Sequence, residues 1–125
     1  MSDPLPHNVG EGGHGWEHLA AGVTRLRLPR VDATVGAVAG ERGLLVVDTG
    51  GTLGEGAAVA DSLHAALGRS ATHVVITHAH WDHCFGTPAF AGAEVFGHRG
   101  IADGTGGGMD PEELAADAVR YGVAP

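Results

Sequence analysis

The chain has 125 residues, of which 43% are hydrophobic and 18% charged, and this composition suits one compact soluble domain. Two domains of half this length would bury too little apolar surface to fold alone. Seven arginines stand against 15 acidic residues, which gives a formal charge of −8. An acidic chain without a basic run gains little from neutralising phosphates, so nucleic acid and anionic membrane surfaces are poor partners.

The cysteine content and the N-terminus indicate the compartment. Cys84 is the single cysteine, which excludes an intramolecular disulfide and a cysteine-rich zinc module. The N-terminus lacks the basic start and apolar core of a signal peptide, and no apolar run approaches the ~20 residues that a membrane-spanning helix needs. We therefore expect a cytoplasmic protein. Histidine is the residue in excess, with 9 in the chain.

The first half of the chain predicts a flexible lead-in followed by strands. Residues 1–15 are rich in Gly, Pro and His without periodicity, and residues 16–125 form the predicted domain. Residues 23–29 (VTRLRLP) alternate apolar and basic side chains and predict a half-buried strand, and 32–40 (DATVGAVAG) predicts a second. The continuous apolar run within 44–50 (LLVVDTG) predicts a strand buried on both faces. These strands together predict a meander.

A helix of about four turns is predicted next, between Thr52 and Gly68. Thr52 and Glu55 have the spacing of a capping box, in which each side chain bonds a free backbone N–H of the first turn. The predicted inner face of the helix consists of Val59, Leu63, Ala66 and Leu67. Residues 72–77 (THVVIT) predict another strand, and the order strand, helix, strand predicts a parallel crossover of right-handed connection.

The last part of the chain predicts one strand, one loop and one helix. Residues 93–98 (AEVFGH) predict a short strand, and the glycine-rich 104–108 (GTGGG) predict a loop without a phosphate-binding pattern. Asp110 as N-cap and Pro111 at the first helical position open the predicted final helix. The predicted inner face of this helix consists of Leu114, Ala118 and Tyr121.

The segment THAHWDHCFG directly follows a predicted buried strand and holds four possible metal ligands in six positions. These candidate ligands are His78, His80, Asp82 and His83. Imidazole and carboxylate are donors that zinc accepts, and α/β folds place their sites at the carboxyl ends of strands. In an extended segment the first three would project to one side and His83 elsewhere, which suits two adjacent ions. The competing interpretation is a chance cluster of exposed loop residues or a site without catalytic role.

These residues, with LLVVDTG upstream, resemble the metallo-β-lactamase superfamily, whose signature is HxHxDH after a buried strand. The resemblance extends over roughly residues 16–103. It implies an α/β fold, the N-terminal half of an αββα sandwich with a mixed sheet and flanking helices. It also implies that His78 and His80 hold the first zinc, that Asp82 and His83 hold the second, and that Asp48 lies behind these ligands.

The resemblance implies hydrolysis of a small-molecule ester, thioester, lactone or phosphodiester by a metal-bound hydroxide. Asp82 would be the catalytic residue that orients the nucleophile and accepts its proton. Zinc is the expected metal, with two ions in a complete site, and iron or manganese remain alternatives. Cys84 could be a nucleophile or a ligand, but a lone cysteine beside such a loop is more often a small buried hydrophobic residue, which is the reading we favour.

The family's later ligands have no match in this chain. His98 is the single histidine after His83, and we interpret it as a structural or solvent-facing residue. No later aspartate has the context of the bridging ligand. The resemblance therefore implies a truncated hydrolase whose site needs a missing C-terminal half or a homodimer. The alternative function is a non-catalytic metal-binding or interaction module that retains the HxHxDH motif.

The remaining histidines give weaker signals. His14 and His18 have the spacing of a helical zinc pair, but their glycine-rich surroundings favour a solvated lead-in. His64 falls on the exposed side of the first predicted helix, and His73 opens a strand. Trp81, between two candidate ligands, either lines the pocket or packs beneath the loop, and the sequence leaves both possibilities open.

Overall fold

The computed structural model describes residues 15–29, 32–103, 111–120 and 122. These residues form one six-stranded sheet with helices beside it. The elements in chain order are β1 (Glu17–Ala20), β2 (Val23–Leu28), β3 (Ala33–Ala39), β4 (Leu44–Val47), α1 (Leu53–Leu67), β5 (His73–Ile76), α2 (Trp81–Cys84), a 3₁₀ turn (Thr87–Phe90), β6 (Glu94–Gly97), α3 (Arg99–Asp103) and α4 (Pro111–Arg120).

The strands lie in the sheet in their order along the chain. Strands β1 to β4 are antiparallel neighbours, which confirms the predicted meander. Strand β5 is parallel to β4, with Leu45 opposite His73, and β6 is parallel to β5, so the predicted parallel crossover through α1 is confirmed. Parallel pairing brings the carboxyl ends of β4 and β5 to one edge of the sheet. Asp48 and Thr77, the next residues after these strands, are therefore neighbours.

Helix α1 begins and ends where local sequence signals predict. The Oγ1 of Thr52 accepts a hydrogen bond from the Glu55 N–H at 2.8 Å, and Gly68 ends the helix with a φ of 69°. The Glu55 carboxylate accepts from the N–H of Gly51 at 2.8 Å, one residue earlier than a standard capping box. His64 is exposed, as expected.

The prediction that 44–50 form a strand buried on both faces is wrong. Leu44 and Val46 are fully buried in the core with Val59 of α1, whereas Leu45 and Val47 are only partly buried. The same alternation holds in β5. Helix α1 covers one face of these two strands, so only every second side chain is fully removed from water.

The N-terminal strand β1 was not predicted, because its four residues carry no apolar alternation. Its anchor is Trp16, which is 4% exposed and whose Nε1 donates a hydrogen bond to the Ser62 Oγ of α1 at 2.9 Å. His18 is an exposed residue of β1, so it is not on a helix, while His14 lies outside the described residues. Of the predicted lead-in, residues 1–14 lie outside the described residues, and only residue 15 is described.

Helix α4 confirms the predicted final helix, and Leu114 and Ala118 on its inner face are buried. Asp110, Tyr121 and the predicted loop 104–108 lie outside the described residues. The short helices α2 and α3 were not predicted. In the described part of the chain, no helix has the length and hydropathy to cross a membrane.

Candidate metal centre

Two loops meet at the sheet edge, one after β4 and one after β5. Backbone hydrogen bonds join them: the Thr49 N–H donates to the His83 carbonyl at 3.0 Å, and the Gly86 N–H donates to the Gly50 carbonyl at 3.0 Å. The Asp48 N–H donates to the Val75 carbonyl at 2.9 Å. The loop that carries the candidate ligands is therefore joined to the turn after β4 at His83 and Gly86.

Two glycines allow α1 to approach these loops. A Cβ on Gly86 would lie 2.1 Å from the Thr49 carbonyl oxygen, and a Cβ on Gly56 of α1 would lie 2.3 Å from the Gly86 carbonyl oxygen. Both distances are far inside van der Waals contact, and both contacts are with backbone atoms that cannot rotate away. Glycine is required at both positions for the helix and the loops to keep this spacing.

Asp48 lies behind the candidate ligands, as the resemblance implies. It is 3% exposed and has a φ of 66°, a left-handed conformation that aspartate adopts more readily than most residues. Its Oδ1 accepts a hydrogen bond from the Thr77 N–H at 2.8 Å, and its Oδ2 accepts from the Thr77 Oγ1 at 2.8 Å. The same Oδ2 lies 2.7 Å from the Nδ1 of His83. A carboxylate here assigns the proton to Nδ1, which leaves the Nε2 of His83 free to bind a metal.

The four candidate ligands come together in the structure. The ring of His78 lies 5.7 Å from the ring of His80 and 4.3 Å from the ring of His83, measured between centroids. The Asp82 carboxylate lies between two imidazoles, 3.3 Å from the His80 Nδ1 and 3.6 Å from the His83 Nε2. The expected extended conformation is wrong after His80, because α2 begins at Trp81 and a helical turn places Asp82 and His83.

The chemistry of these donors fits a metal ion. The Oδ1 of Asp82 is buried and has no hydrogen-bond partner among the described residues, and an orphaned carboxylate oxygen is costly unless a cation satisfies it. Neutral imidazole nitrogens and a carboxylate are the donors that zinc accepts. Within the described residues, however, no three His, Cys, Asp or Glu side chains are arranged to hold a metal. The division of the ligands between two ions stays a prediction.

Cys84 follows the last candidate ligand and is partly buried against the main core. Burial, together with the nearby carboxylates of Asp48 and Asp82, raises the pKa of its thiol to about 11. A thiol with this pKa is protonated at neutral pH, and the thiolate is the reactive form. These observations favour the small buried hydrophobic residue over the nucleophile.

Trp81 packs beneath the ligand loop, which decides between the two possibilities that the sequence left open. Its side chain is 2% exposed, and its Nε1 donates a hydrogen bond to the Asp117 Oδ2 of α4 at 2.9 Å. Sequence analysis missed both Asp117 and Thr77 as residues of the site. Thr77 directly follows a strand and could have been considered, whereas nothing in the sequence links Asp117 to Trp81.

The other described histidines make local contacts elsewhere. His98 is exposed, and its Nδ1 accepts a hydrogen bond from the Gly100 N–H at 2.9 Å, in keeping with a structural or solvent-facing residue. His73 stacks on Phe96 with 5.9 Å between ring centroids and lies 3.6 Å from the Glu94 carboxylate. The candidate centre therefore consists of the four residues of the HxHxDH segment with Asp48 behind them.

A family model decides the relationship of this chain to known proteins. The model of the metallo-beta-lactamase superfamily matches residues 28–119, which include both loops and the whole HxHxDH segment. The chain belongs to this superfamily. No curated protein matches the sequence.

Three solved structures are similar to this chain in fold. The stereoselective inverting sec-alkylsulfatase from Pseudomonas sp. is similar over 72% of this chain and 16% of its own length, with a TM-score of 0.62 and 21% identity. A metallo-beta-lactamase from Hirschia baltica is similar over 88% of this chain and 48% of its own, with a TM-score of 0.56 and 18% identity. A motif mutant of a Cronobacter sakazakii metallo-beta-lactamase is similar over 64% of this chain and 32% of its own length, with a TM-score of 0.55 and 21% identity.

These likenesses confirm the predicted fold class, a mixed sheet with flanking helices of metallo-β-lactamase type. The chain spans less than half the length of each of these three structures. At these identities the likeness concerns the fold, and it carries neither substrate nor activity to this chain.

Proposed function

We propose that this chain carries zinc ligands of a hydrolase that acts on a small-molecule ester, thioester, lactone or phosphodiester. Membership of the metallo-beta-lactamase superfamily supports the reaction class. The observation that carries the proposal is the Asp82 carboxylate. Its buried Oδ1 lacks a hydrogen-bond partner among the described residues and lies 3.3 Å from the His80 Nδ1, and its Oδ2 lies 3.6 Å from the His83 Nε2. A cation at this place would satisfy the oxygen.

In this proposal His78 and His80 hold the first ion, and Asp82 and His83 hold the second. A bound zinc, or iron or manganese in its place, would polarise the substrate and lower the pKa of a coordinated water. Asp82 orients the attacking water and accepts its proton. Asp48 keeps the Nε2 of His83 directed into the site by holding its Nδ1 at 2.7 Å.

The ligand assignment predicts that loss of a ligand histidine lowers zinc affinity, whereas loss of an exposed histidine elsewhere does not. Replacing His80 with alanine should lower zinc affinity by more than about 100-fold, because even the residues behind metal ligands contribute about 10- to 100-fold. The matched controls are His64→Ala and His98→Ala, which remove exposed imidazoles away from the centre and should leave the affinity unchanged. Competition with a chromophoric chelator measures the zinc affinity of all three variants. An equal loss in the three variants would mean that zinc binds the chain nonspecifically.

The chain as it stands should turn over no substrate above the buffer background, even with zinc supplied. A catalytic zinc takes three protein ligands and one open position, whereas the proposed assignment gives each ion two. The measurement is a panel of thioester, lactone and phosphodiester substrates, with an alkyl sulfate added because one structural neighbour is an alkylsulfatase. Turnover that disappears in His80→Ala would contradict this prediction and show that further residues of the chain complete the site.

A non-catalytic metal-binding or interaction module is the second candidate function. This candidate is kept because, within the described residues, no three His, Cys, Asp or Glu side chains are arranged to hold one ion. The zinc titration and the substrate panel distinguish the two candidates when both are repeated on the chain extended by any sequence that follows it in its gene. Tight zinc binding without turnover in that longer protein would favour the module.

A further inference from the structure

Helix α4 and the ligand loop share a small apolar cluster of their own. Its buried members are Trp81, Leu114 and Ala118, and Phe85 packs against them. This cluster is separate from the main core between the sheet and α1. Helix α4 therefore contacts the segment that carries the candidate metal ligands, and these contacts include the indole of Trp81.

The indole of Trp81 is held from two directions. On one side its ring lies against the turn after β4, where a Cβ on Gly51 would stand 2.5 Å from the Trp81 Cζ3. On the other side its Nε1 donates to the Asp117 Oδ2 at 2.9 Å. The Asp117 side chain is 14% exposed, and its Oδ1 accepts a second hydrogen bond from Arg120 at 3.2 Å. A buried indole N–H needs such an acceptor.

Helix α2 needs support from outside itself. It has four residues, its N-cap His80 makes no side-chain capping bond, and a helix of one turn is far too short to be stable alone. The backbone bonds of the turn run from the His83 N–H to the His80 carbonyl at 2.9 Å and from the Phe85 N–H to the Trp81 carbonyl at 3.0 Å. The relative position of His80, Asp82 and His83 depends on this turn.

We propose that Asp117 is a positioning residue of the metal centre, acting through the indole of Trp81. Its hydrogen bond anchors α2 to α4, and the anchored turn keeps Asp82 between the imidazoles of His80 and His83. This inference rests on the proposed function for the metal itself, but the ordering of the turn by Asp117 is independent of any metal. Helix α4 therefore helps to position the candidate ligands, although none of its residues is a proposed ligand.

The test compares zinc affinity in three variants. Asp117→Ala should lower it about tenfold, the lower end of the effect of residues that orient metal ligands. Asp117→Asn should stay close to wild type, because the amide oxygen still accepts the indole N–H. Arg120→Ala is the matched control: it removes the other partner of Asp117, an exposed ion pair, and should leave the affinity unchanged. Equal affinity in Asp117→Ala and wild type, or equal losses in Asp117→Ala and Arg120→Ala, would overturn the proposal.

Amide hydrogen exchange supplies a readout without metal. The amides of His83 and Phe85 should exchange faster in Asp117→Ala than in wild type, while the amides of β4 and β5 keep their rates. Unchanged exchange at His83 and Phe85 would overturn the inference whether or not zinc binds. Failure of the wild-type chain to bind zinc would overturn the proposed function, and the exchange rates would still decide whether Asp117 orders the turn.

A second variant covers the case in which Asp117→Ala does not fold. Trp81→Phe keeps an aromatic ring above Gly51 but removes the N–H, and it should reproduce the faster exchange and the weaker zinc binding. Where Asp117→Ala does fold, adding it to Trp81→Phe should cause no further loss of affinity, because the hydrogen bond is already absent. A Trp81→Phe variant with wild-type exchange and affinity would contradict the proposed role of the bond.

Discussion

Replacing Gly56 with alanine should lower the free energy of unfolding by about 3 kcal/mol, the upper part of the range for a side chain forced into a packed region. The added Cβ would lie 2.3 Å from the Gly86 carbonyl oxygen and 2.8 Å from the Gly86 Cα. These are backbone atoms of the loop that holds the candidate ligands. Relieving the clash requires α1 and the loop to separate, which disturbs the bonds between Gly86 and Gly50 and between Thr49 and His83.

The matched control lies two residues away in the same helix. A Cβ on Gly54 would have the Thr52 Oγ1 as its nearest neighbour at 3.8 Å, an ordinary contact. Gly54→Ala should therefore stabilise the chain by up to about 1 kcal/mol, because alanine is the better helix former. Urea denaturation measures both variants. Stabilisation by both would show that the close approach of α1 to Gly86 is absent in solution.

Replacing Asp48 with asparagine should lower zinc affinity about 10- to 100-fold while changing stability much less. The amide oxygen can still accept from Thr77, but the amide NH₂ then faces the Nδ1 of His83, which lies 2.7 Å from the present carboxylate oxygen. His83 must accept at Nδ1 and carry its proton on Nε2. A protonated Nε2 has no lone pair for a metal.

Two further measurements make the Asp48 prediction specific. Asp48→Ala should also lower the free energy of unfolding, by about 1 to 3 kcal/mol, because the buried donors of Thr77 and His83 lose their acceptor. Asp61→Asn, an exposed change on α1, is the matched control for lost negative charge and should alter neither quantity. Nitrogen NMR of the imidazoles reports the tautomer of His83. Wild-type zinc affinity in Asp48→Asn would contradict the orienting role of this carboxylate.

Much of the fold follows from interactions between residues close together in the chain. Thr52 bonds the N–H of Glu55 three residues on, and Gly68 takes the left-handed conformation that ends α1, so both ends of this helix were predictable. The strand, helix, strand order around α1 led to the parallel pair β4 and β5. Because parallel pairing places the ends of both strands at one edge, the sequence also predicted where the candidate ligands lie.

The errors arose where distant residues decide the local conformation. An apolar run such as 44–50 suits a strand covered on both faces or on one, and only the packing of α1 on one face distinguishes them. Strand β1 exists through pairing with β2 and through the Trp16 bond to Ser62, which lies 46 positions away. The helical turn at Trp81 likewise depends on its packing against α4.

The sequence by itself determined the meander, the helix α1, the place of the HxHxDH segment after a strand and, with the DTG turn, the superfamily. These follow from periodicity, capping and residue spacing, which are local properties of a chain. Only the tertiary structure decided that Asp48 holds His83, 35 positions away, and that Asp117 holds Trp81, 36 positions away. Such hydrogen bonds require the sheet edge and α4 to be assembled first, and no spacing along the chain specifies which donor will then face which acceptor.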